Sequence, residues 1–198
     1  NQRIIGSVGW HNFGRSFDGG VLTLDVNKDF KVDVIGAAVN RMPSAPQYVR
    51  DVFLTGLWAD WAIQQHSVQP FFLYDNPFTE VMNDGSTRAR RYTAGVYSSW
   101  NLGQMDLSVE GAYQFGTFPF SDFDPSNTES DQIGIAANMI GIRAGYTMPG
   151  PSKVRIGIGF DRLSGNDAPG EGEMEETIEA FSTMYATNHK FYGHMDYF

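Results

Sequence analysis

Hydrophobic and polar side chains alternate along most of this chain with a period of two residues. In the segment 104–115, QMDLSVEGAYQF, the odd positions from Met105 to Phe115 are mostly apolar, whereas the even positions carry polar groups such as Asp106 and Glu110. Successive side chains of a β-strand point to opposite faces, so this pattern predicts a strand with one apolar and one polar face. The pattern recurs at about the length that crosses a bilayer, roughly 9 to 11 residues per tilted strand. This recurrence predicts a transmembrane β-barrel with a wet, charged interior.

Ten extended segments follow from the alternation. They cover approximately residues 1–10, 17–27, 29–40, 51–61, 68–76, 90–100, 104–116, 133–147, 153–164 and 181–198, the last of them either continuous or broken. The short connections between them are tight turns at 27–29, 101–103 and 148–152 and a medium turn at 64–67. The longer, polar connections are at 40–50, 77–89, 117–132 and 165–180. Strict alternation of short and long connections is typical of outer-membrane barrels and not of Greek-key sandwiches. We therefore predict an all-β fold, a transmembrane antiparallel up-and-down β-barrel, with about ten strands in this chain.

The amino-acid composition excludes several other classes of protein and fits a membrane barrel. The chain has no Cys, which excludes disulfides and thiolate sites, and it has no apolar run long enough for a membrane-spanning helix. Aromatic residues make up 14% of the chain, enough for the rings that barrels place at both membrane interfaces. Aromatic residues near the ends of the predicted strands are Trp10, Trp61, Tyr74, Trp100, Tyr146 and Phe160. They are predicted to form such girdles, although core-edge rings of a soluble sheet are the alternative.

The formal net charge of −9 speaks against nucleic acid as a partner. Much of the acidity lies in two predicted loops, because residues 121–131 and 166–179 hold four and six acidic residues and no basic ones. Carboxylates of the second loop could bind Ca²⁺, but the spaced D-x-[DN]-x-[DN]-G pattern is missing, so a solvated loop is the simpler interpretation. We predict no metal site.

Catalytic motifs are weak in this sequence. Residues 14–19 do not form a G-x-S-x-G nucleophile elbow. His189 and His194 are five residues apart, so in a regular strand they point to opposite faces and cannot share a metal. We predict that the protein is not an enzyme and uses no cofactor.

Cations on the polar face are the candidate functional residues. By strand parity, the residues expected to line the pore are Arg3, Lys31, Arg91, Arg143, Lys153 and Arg155. A guanidinium stays charged and pairs a carboxylate through two hydrogen bonds, which suits the recognition of an anionic solute. Arg143 and Arg155 are on adjacent strands and could form one basic patch. The alternative for each cation is a structural ion pair with one of the carboxylates Asp25, Asp33, Asp106, Glu110 and Asp161.

Two end motifs carry a family resemblance. NQRIIGSVGW at 1–10, followed by GRSFDGG at 14–20, and ATNHKFYGHMDYF at 186–198 resemble the bacterial alginate-export outer-membrane porin family. The resemblance implies a monomeric 18-stranded barrel in the bacterial outer membrane, which passes a polyanionic uronic-acid polysaccharide through a positively lined pore. Its implied partners are the lipid bilayer, that polysaccharide and periplasmic export components. Arg3 carries over with the NQR motif.

The family barrel is larger than ten strands, and both motifs are expected inside it. We therefore expect residues 1–198 to be a single barrel domain that is incomplete at both ends, which also fits a start at Asn1 without a signal peptide. The alternative places Phe198 as the C-terminal aromatic residue of a barrel. Rival functions are a general diffusion porin, a barrel that sheathes a partner protein, and a soluble β-sandwich binding module.

Overall fold

The computed structural model describes residues 4–6, 16–40, 52–76, 89–119, 132–166 and 177–186. In these ranges the chain is all-β. The strands are β1 (Ser16–Asn27), β2 (Phe30–Asn40), β3 (Val52–Ile63), β4 (His66–Asp75), β5 (Arg90–Leu102), β6 (Met105–Pro119), β7 (Gln132–Thr147), β8 (Arg155–Leu163) and β9 (Thr177–Ile178). These ranges contain no helical segment with the length and hydropathy of a membrane span.

The sheet is an up-and-down meander. The order β1 to β8 follows the chain, and each of these neighbouring pairs is antiparallel. The eight strands are between 9 and 16 residues long, which is long enough to cross a bilayer when tilted. The predicted fold class is confirmed, and within the described strands β1 and β8 are the two edges.

Short connections lie at one end of the sheet. Three of them are two-residue turns, at 28–29, 64–65 and 103–104, and the β7–β8 connection covers 148–154. Gly103 has φ of 80° and Gln64 has φ of 56°, the left-handed backbone that tight hairpin turns use. The predicted alternation of short and long connections is confirmed. The turn predicted as medium at 64–67 is shorter than expected.

The first and last predicted strands are wrong within the described residues. Residues 4–6 and 181–186 contain only an isolated parallel bridge between Ile5 and Tyr185. In addition, β9 lies in a predicted loop and pairs in parallel with β7. The rest of the predicted segments 1–10 and 181–198 lies outside the described residues. Among the described residues there are eight long strands and one short strand, where about ten were predicted.

The register gives the sheet two distinct faces. Residues directly opposite in an antiparallel pair share a face, so one row across the sheet contains Trp58, Phe71, Gly95, Ala112 and Met139. We call this side the inner face and the opposite side the outer face. The inner face holds the apolar core of the described residues, and residues 4–6 and 181–186 pack on it.

The outer face is apolar and exposed. Its exposed side chains include Leu57, Phe72, Val96, Ile140, Ile158 and Phe160. A monomeric soluble protein rarely exposes so large an apolar surface, whereas lipid contact would satisfy it. At the end of the sheet with long connections, the rings of Tyr74, Tyr92 and Phe115 form a row across three strands, with centroids 5.1 and 5.4 Å apart. Toward the other end, Trp61 and Phe160 share one row, so both ends carry aromatic residues.

Candidate functional site

The inner face has two halves of different chemistry. We call the positions from the row of Asp60, Gln69, Tyr97 and Glu110 to the short turns the polar half. The covered half runs from the Trp58 row to the end with long connections. It packs against residues 4–6 and 181–186, which together we call the cover.

The cover is fixed to the sheet by backbone and side-chain hydrogen bonds. Its two parts pair with each other, because the Gly6 amide donates to the Tyr185 carbonyl at 2.8 Å. The side-chain amide of Gln114 donates to the Ser182 carbonyl and accepts from the Ser182 amide, both at 2.9 Å. Gln114 is fully buried, so these bonds satisfy groups that have no access to water. The covered half is thus a built interface between the sheet and a segment of the same chain.

Arg91 lies in the covered half. It forms a two-pronged ion pair with the directly opposite Asp75, with Nε–Oδ1 at 3.0 Å and Nη2–Oδ2 at 2.6 Å. The Asp75 side chain is 0% exposed and that of Arg91 is 12% exposed. The hydroxyl of Tyr185 from the cover approaches the same carboxylate at 3.5 Å. This pair is therefore buried beneath the cover.

Arg155 lies in the polar half and reaches across one strand. Its guanidinium covers Gly145 on β7, where any added Cβ would collide with it. It then donates to the Asp106 carboxylate on β6, with Nε–Oδ2 at 2.9 Å and Nη2–Oδ1 at 2.6 Å. The missing side chain at Gly145 therefore allows an arginine to lie flat across three strands. Arg155 and Asp106 remain 50% and 46% exposed.

Arg143 follows the same principle. Its side chain lies over Gly159, its direct neighbour on β8, and pairs with Asp161. One guanidinium nitrogen also donates to the Ile142 and Phe160 carbonyls, at 2.9 and 3.1 Å. The predicted basic patch of Arg143 and Arg155 is thus two arginines on one face, each bound to its own carboxylate.

Lys31 belongs to a polar network on β2 to β4. Its ammonium lies 3.7 Å from Asp60, which accepts a hydrogen bond of 2.9 Å from the Ser67 hydroxyl. Gln69 donates to that hydroxyl and accepts from the Trp58 indole. The network links the charged row to the edge of the covered half.

Lys153 and Arg3 complete the predicted set. Lys153 is exposed in the β7–β8 turn with φ of 43°, outside the strands. Arg3 lies outside the described residues. Among the predicted alternatives, the pairings Arg143–Asp161 and Arg155–Asp106 are present, whereas Lys31 and Arg91 pair with Asp60 and Asp75. Whether the six cations line a pore stays a prediction.

Sequence reasoning missed Asp60 and Asp75 as partners. The alternation places both residues on the polar face of their strands. The partner of a given cation, however, depends on the register between neighbouring strands, which the sequence does not give.

Carboxylates outnumber cations on the inner face of the described strands. The cations are Lys31, Arg91, Arg143 and Arg155; the carboxylates are Asp25, Asp33, Asp60, Asp75, Asp106, Glu110 and Asp161. The strands described here therefore carry no excess of positive charge. They also hold no group of three or more candidate metal ligands, and most of the acidic segment 166–179 lies outside the described residues.

A cavity of about 410 Å³ opens in the polar half near the short turns. Its lining includes the hydroxyl-bearing Tyr97, Ser99 and Ser108 and the carboxylate of Asp106. The cavity therefore lies beside the Arg155–Asp106 pair, on the inner surface of the sheet.

A two-faced meander with a lipid-compatible outer face and a charged inner face defines a sheet of a membrane β-barrel. Comparison with known families gives the particular group: the family model described as "Alginate export" matches residues 1–198. The chain belongs to the alginate export family, a family of outer-membrane β-barrel porins, and this membership supports a role in alginate export. No curated protein and no solved structure matches the chain.

Proposed function

We propose that the chain forms part of the wall of an outer-membrane exporter, and that an anionic polysaccharide of the alginate type passes along the polar half of its inner face. The single observation that carries this proposal is the placement of Arg143 and Arg155, whose guanidinium groups lie flat over glycines and stay partly exposed. Such groups are held in position but remain open to a second carboxylate.

Exchange of carboxylates gives a mechanism for passage. A uronate that enters beside Arg155 takes the place of the carboxylate now paired with the guanidinium. The positive charge of the guanidinium therefore stays compensated throughout the exchange. Conduction requires binding strong enough to admit the solute and weak enough to release it. Asp106 and Asp161 weaken the binding of the polymer, because each competes with the uronate for its arginine and pairs with it again when the polymer leaves. No cofactor takes part in this mechanism.

Barrel closure is part of the proposal. β1 and β8 are exposed on the inner and outer faces along nearly their whole described lengths, and neither has a second partner among the described strands. Unpaired edges in a membrane are costly because their backbone groups find no water. We propose that further strands pair with both edges to close a monomeric barrel in the bacterial outer membrane, with periplasmic export components supplying the polymer.

Planar bilayer recording of the full-length protein tests the function. Alginate added to one chamber should block the current, and a double variant R143Q/R155Q should weaken the block about tenfold or more, because two charge-assisted contacts are lost. The matched control is R162Q, which removes an arginine of the same hairpin from the outer face. Absence of block in the wild type, or equal block in both variants, would contradict the proposal.

The charge count favours a second candidate, a general diffusion porin. A face with seven carboxylates and four cations should show little preference for anions. This function predicts weak selectivity between potassium and chloride and no block by alginate. The same recordings therefore separate the two candidates.

A further inference from the structure

The cavity in the polar half has a floor of hydroxyl groups that form no hydrogen bonds within the described part of the chain. Ser99 on β5 and Ser108 on β6 are directly opposite each other, and Tyr97 is the next inward-facing residue along β5. Their side-chain hydroxyls make no hydrogen bond with another described residue. Three neighbouring hydroxyls, each able to donate and accept, are thus available to a ligand.

Besides these hydroxyl groups, an amide and an ion pair lie at the cavity. Gln65, in the β3–β4 turn, donates to the Asn101 carbonyl at 2.9 Å, which fixes one wall. Asp106 also lines the cavity, and its carboxylate is paired with the guanidinium of Arg155 at 2.6 Å. The volume of about 410 Å³ lies in the range of small-molecule sites, roughly 300 to 1,000 Å³.

This combination fits a sugar acid. Hydroxyls of a sugar ring donate and accept, which matches Ser99, Ser108 and Tyr97 in number and kind. The carboxylate of a uronic acid matches the planar fork of Arg155. A neutral sugar would use the hydroxyls but would leave Arg155 with Asp106, and an inorganic anion would use the guanidinium but leave the hydroxyls unmatched.

We propose that this cavity is a binding subsite for one or two uronic-acid residues, with the uronate carboxylate on Arg155 and the ring hydroxyls on Ser99, Ser108 and Tyr97. The inference rests on the proposed function and deepens it. Short turns of outer-membrane barrels lie on the periplasmic side, so the subsite is at the end where an exported polymer enters. It acts as the point at which the leading sugar residues are first held.

Calorimetric titration of the full-length protein in detergent tests the subsite, with an alginate trisaccharide as the acidic probe and maltotriose as the neutral one. S99A/S108A should weaken trisaccharide binding about three- to tenfold, Y97F about threefold, and R155Q about tenfold. Each variant has an outer-face control that makes the same chemical change nearby. These controls are S98A, Y113F and R162Q, and they should bind like the wild type.

Two results would overturn the subsite. One is unchanged trisaccharide binding in S99A/S108A, Y97F and R155Q; the other is maltotriose binding as tightly as the trisaccharide. If alginate still blocks the wild-type channel in these cases, the export function stands and only the subsite falls. If the wild type shows neither block nor trisaccharide binding, both proposals fail. The heat-modifiable migration of each variant on gels, compared with the wild type, establishes that the barrel is folded.

Discussion

The two halves of the inner face use the same strands and the same alternation for opposite purposes. In the covered half, Asp75 is fully buried and its partner Arg91 is largely buried beneath a segment of the chain itself. In the polar half, Asp106 and Arg155 pair with about half of each side chain exposed. The difference shows that the position of a charged residue along a strand predicts the face on which it lies. It does not predict whether a solute can reach that residue.

Exposure also decides what each pair contributes to stability. Burial removes both ions from water, so losing one partner leaves an uncompensated charge. An exposed pair keeps water on both sides and is worth roughly 0–1 kcal/mol. The comparison therefore predicts a structural role for the covered pair and a functional role for the exposed one.

The largest expected effect comes from breaking the covered pair. R91Q leaves Asp75 buried without a counter-ion and should lower the free energy of unfolding by about 3–5 kcal/mol. R155Q, the matched change in the polar half, should lower it by at most about 1 kcal/mol. Denaturant unfolding in detergent, followed by tryptophan fluorescence, measures both. Equal losses in the two variants would remove the distinction between the halves.

The next effect concerns the cover. Q114L keeps the approximate size of the side chain but leaves the partly buried Ser182 amide and carbonyl without partners, at a cost of at most about 1–3 kcal/mol for each group. The cover should detach more often, and single-channel conductance should rise. Q104L is the control, since that amide accepts a hydrogen bond from Tyr146 at an exposed site. Unchanged conductance in Q114L would show that the cover does not restrict passage.

A smaller effect is expected at the glycine under Arg155. In G145A, the new Cβ would occupy the space of the guanidinium and separate it from Asp106. The free energy of unfolding should fall by about 1 kcal/mol or less, whereas alginate block should change clearly because the arginine has moved. G36A, where a Cβ meets no atom within 4 Å, is the control for unfolding and block. A block identical to that of the wild type in G145A would argue against a positioned guanidinium.

The smallest effect should come from Lys31. Its ammonium is 3.7 Å from Asp60, and 48% of the side chain is exposed. K31M should therefore change the free energy of unfolding by less than about 0.5 kcal/mol. A loss as large as that of R91Q would show that the network through Ser67 and Gln69 is cooperative.

Parity predicted the two faces correctly because the apolar period of two residues is a local property of each strand. It placed Arg91, Arg143 and Arg155 on the same face as their eventual partners. It could not distinguish the two halves, since Thr93 and Gln114 are as polar in sequence as Ser99 and Ser108. Their burial depends on the cover, a contact between residues 68 positions apart in the case of Gln114 and Ser182.

The strand predicted at 181–198 is wrong over the described residues 181–186 for a related reason. Residues 181–186, FSTMYA, include the aromatic and β-branched residues Phe181, Thr183 and Tyr185, which favour strands. In the structure, Met184 has φ of 50°, and Gln114 occupies the backbone groups of Ser182 that a strand neighbour would need. A side chain of the sheet thus binds the backbone groups that a neighbouring strand would otherwise bind, and no local sequence pattern predicts this contact.

The two-residue turn at 103–104 also determines where this protein tolerates changes in length. It joins the two strands whose register aligns Ser99 with Ser108. Deleting one residue between Leu102 and Asp106 would reverse the parity of β6 and turn Asp106, Glu110 and Gln114 toward lipid. The connection at 148–154 has seven residues and more freedom to absorb an insertion. An epitope for mapping membrane topology therefore belongs in the β7–β8 connection and not in the β5–β6 turn.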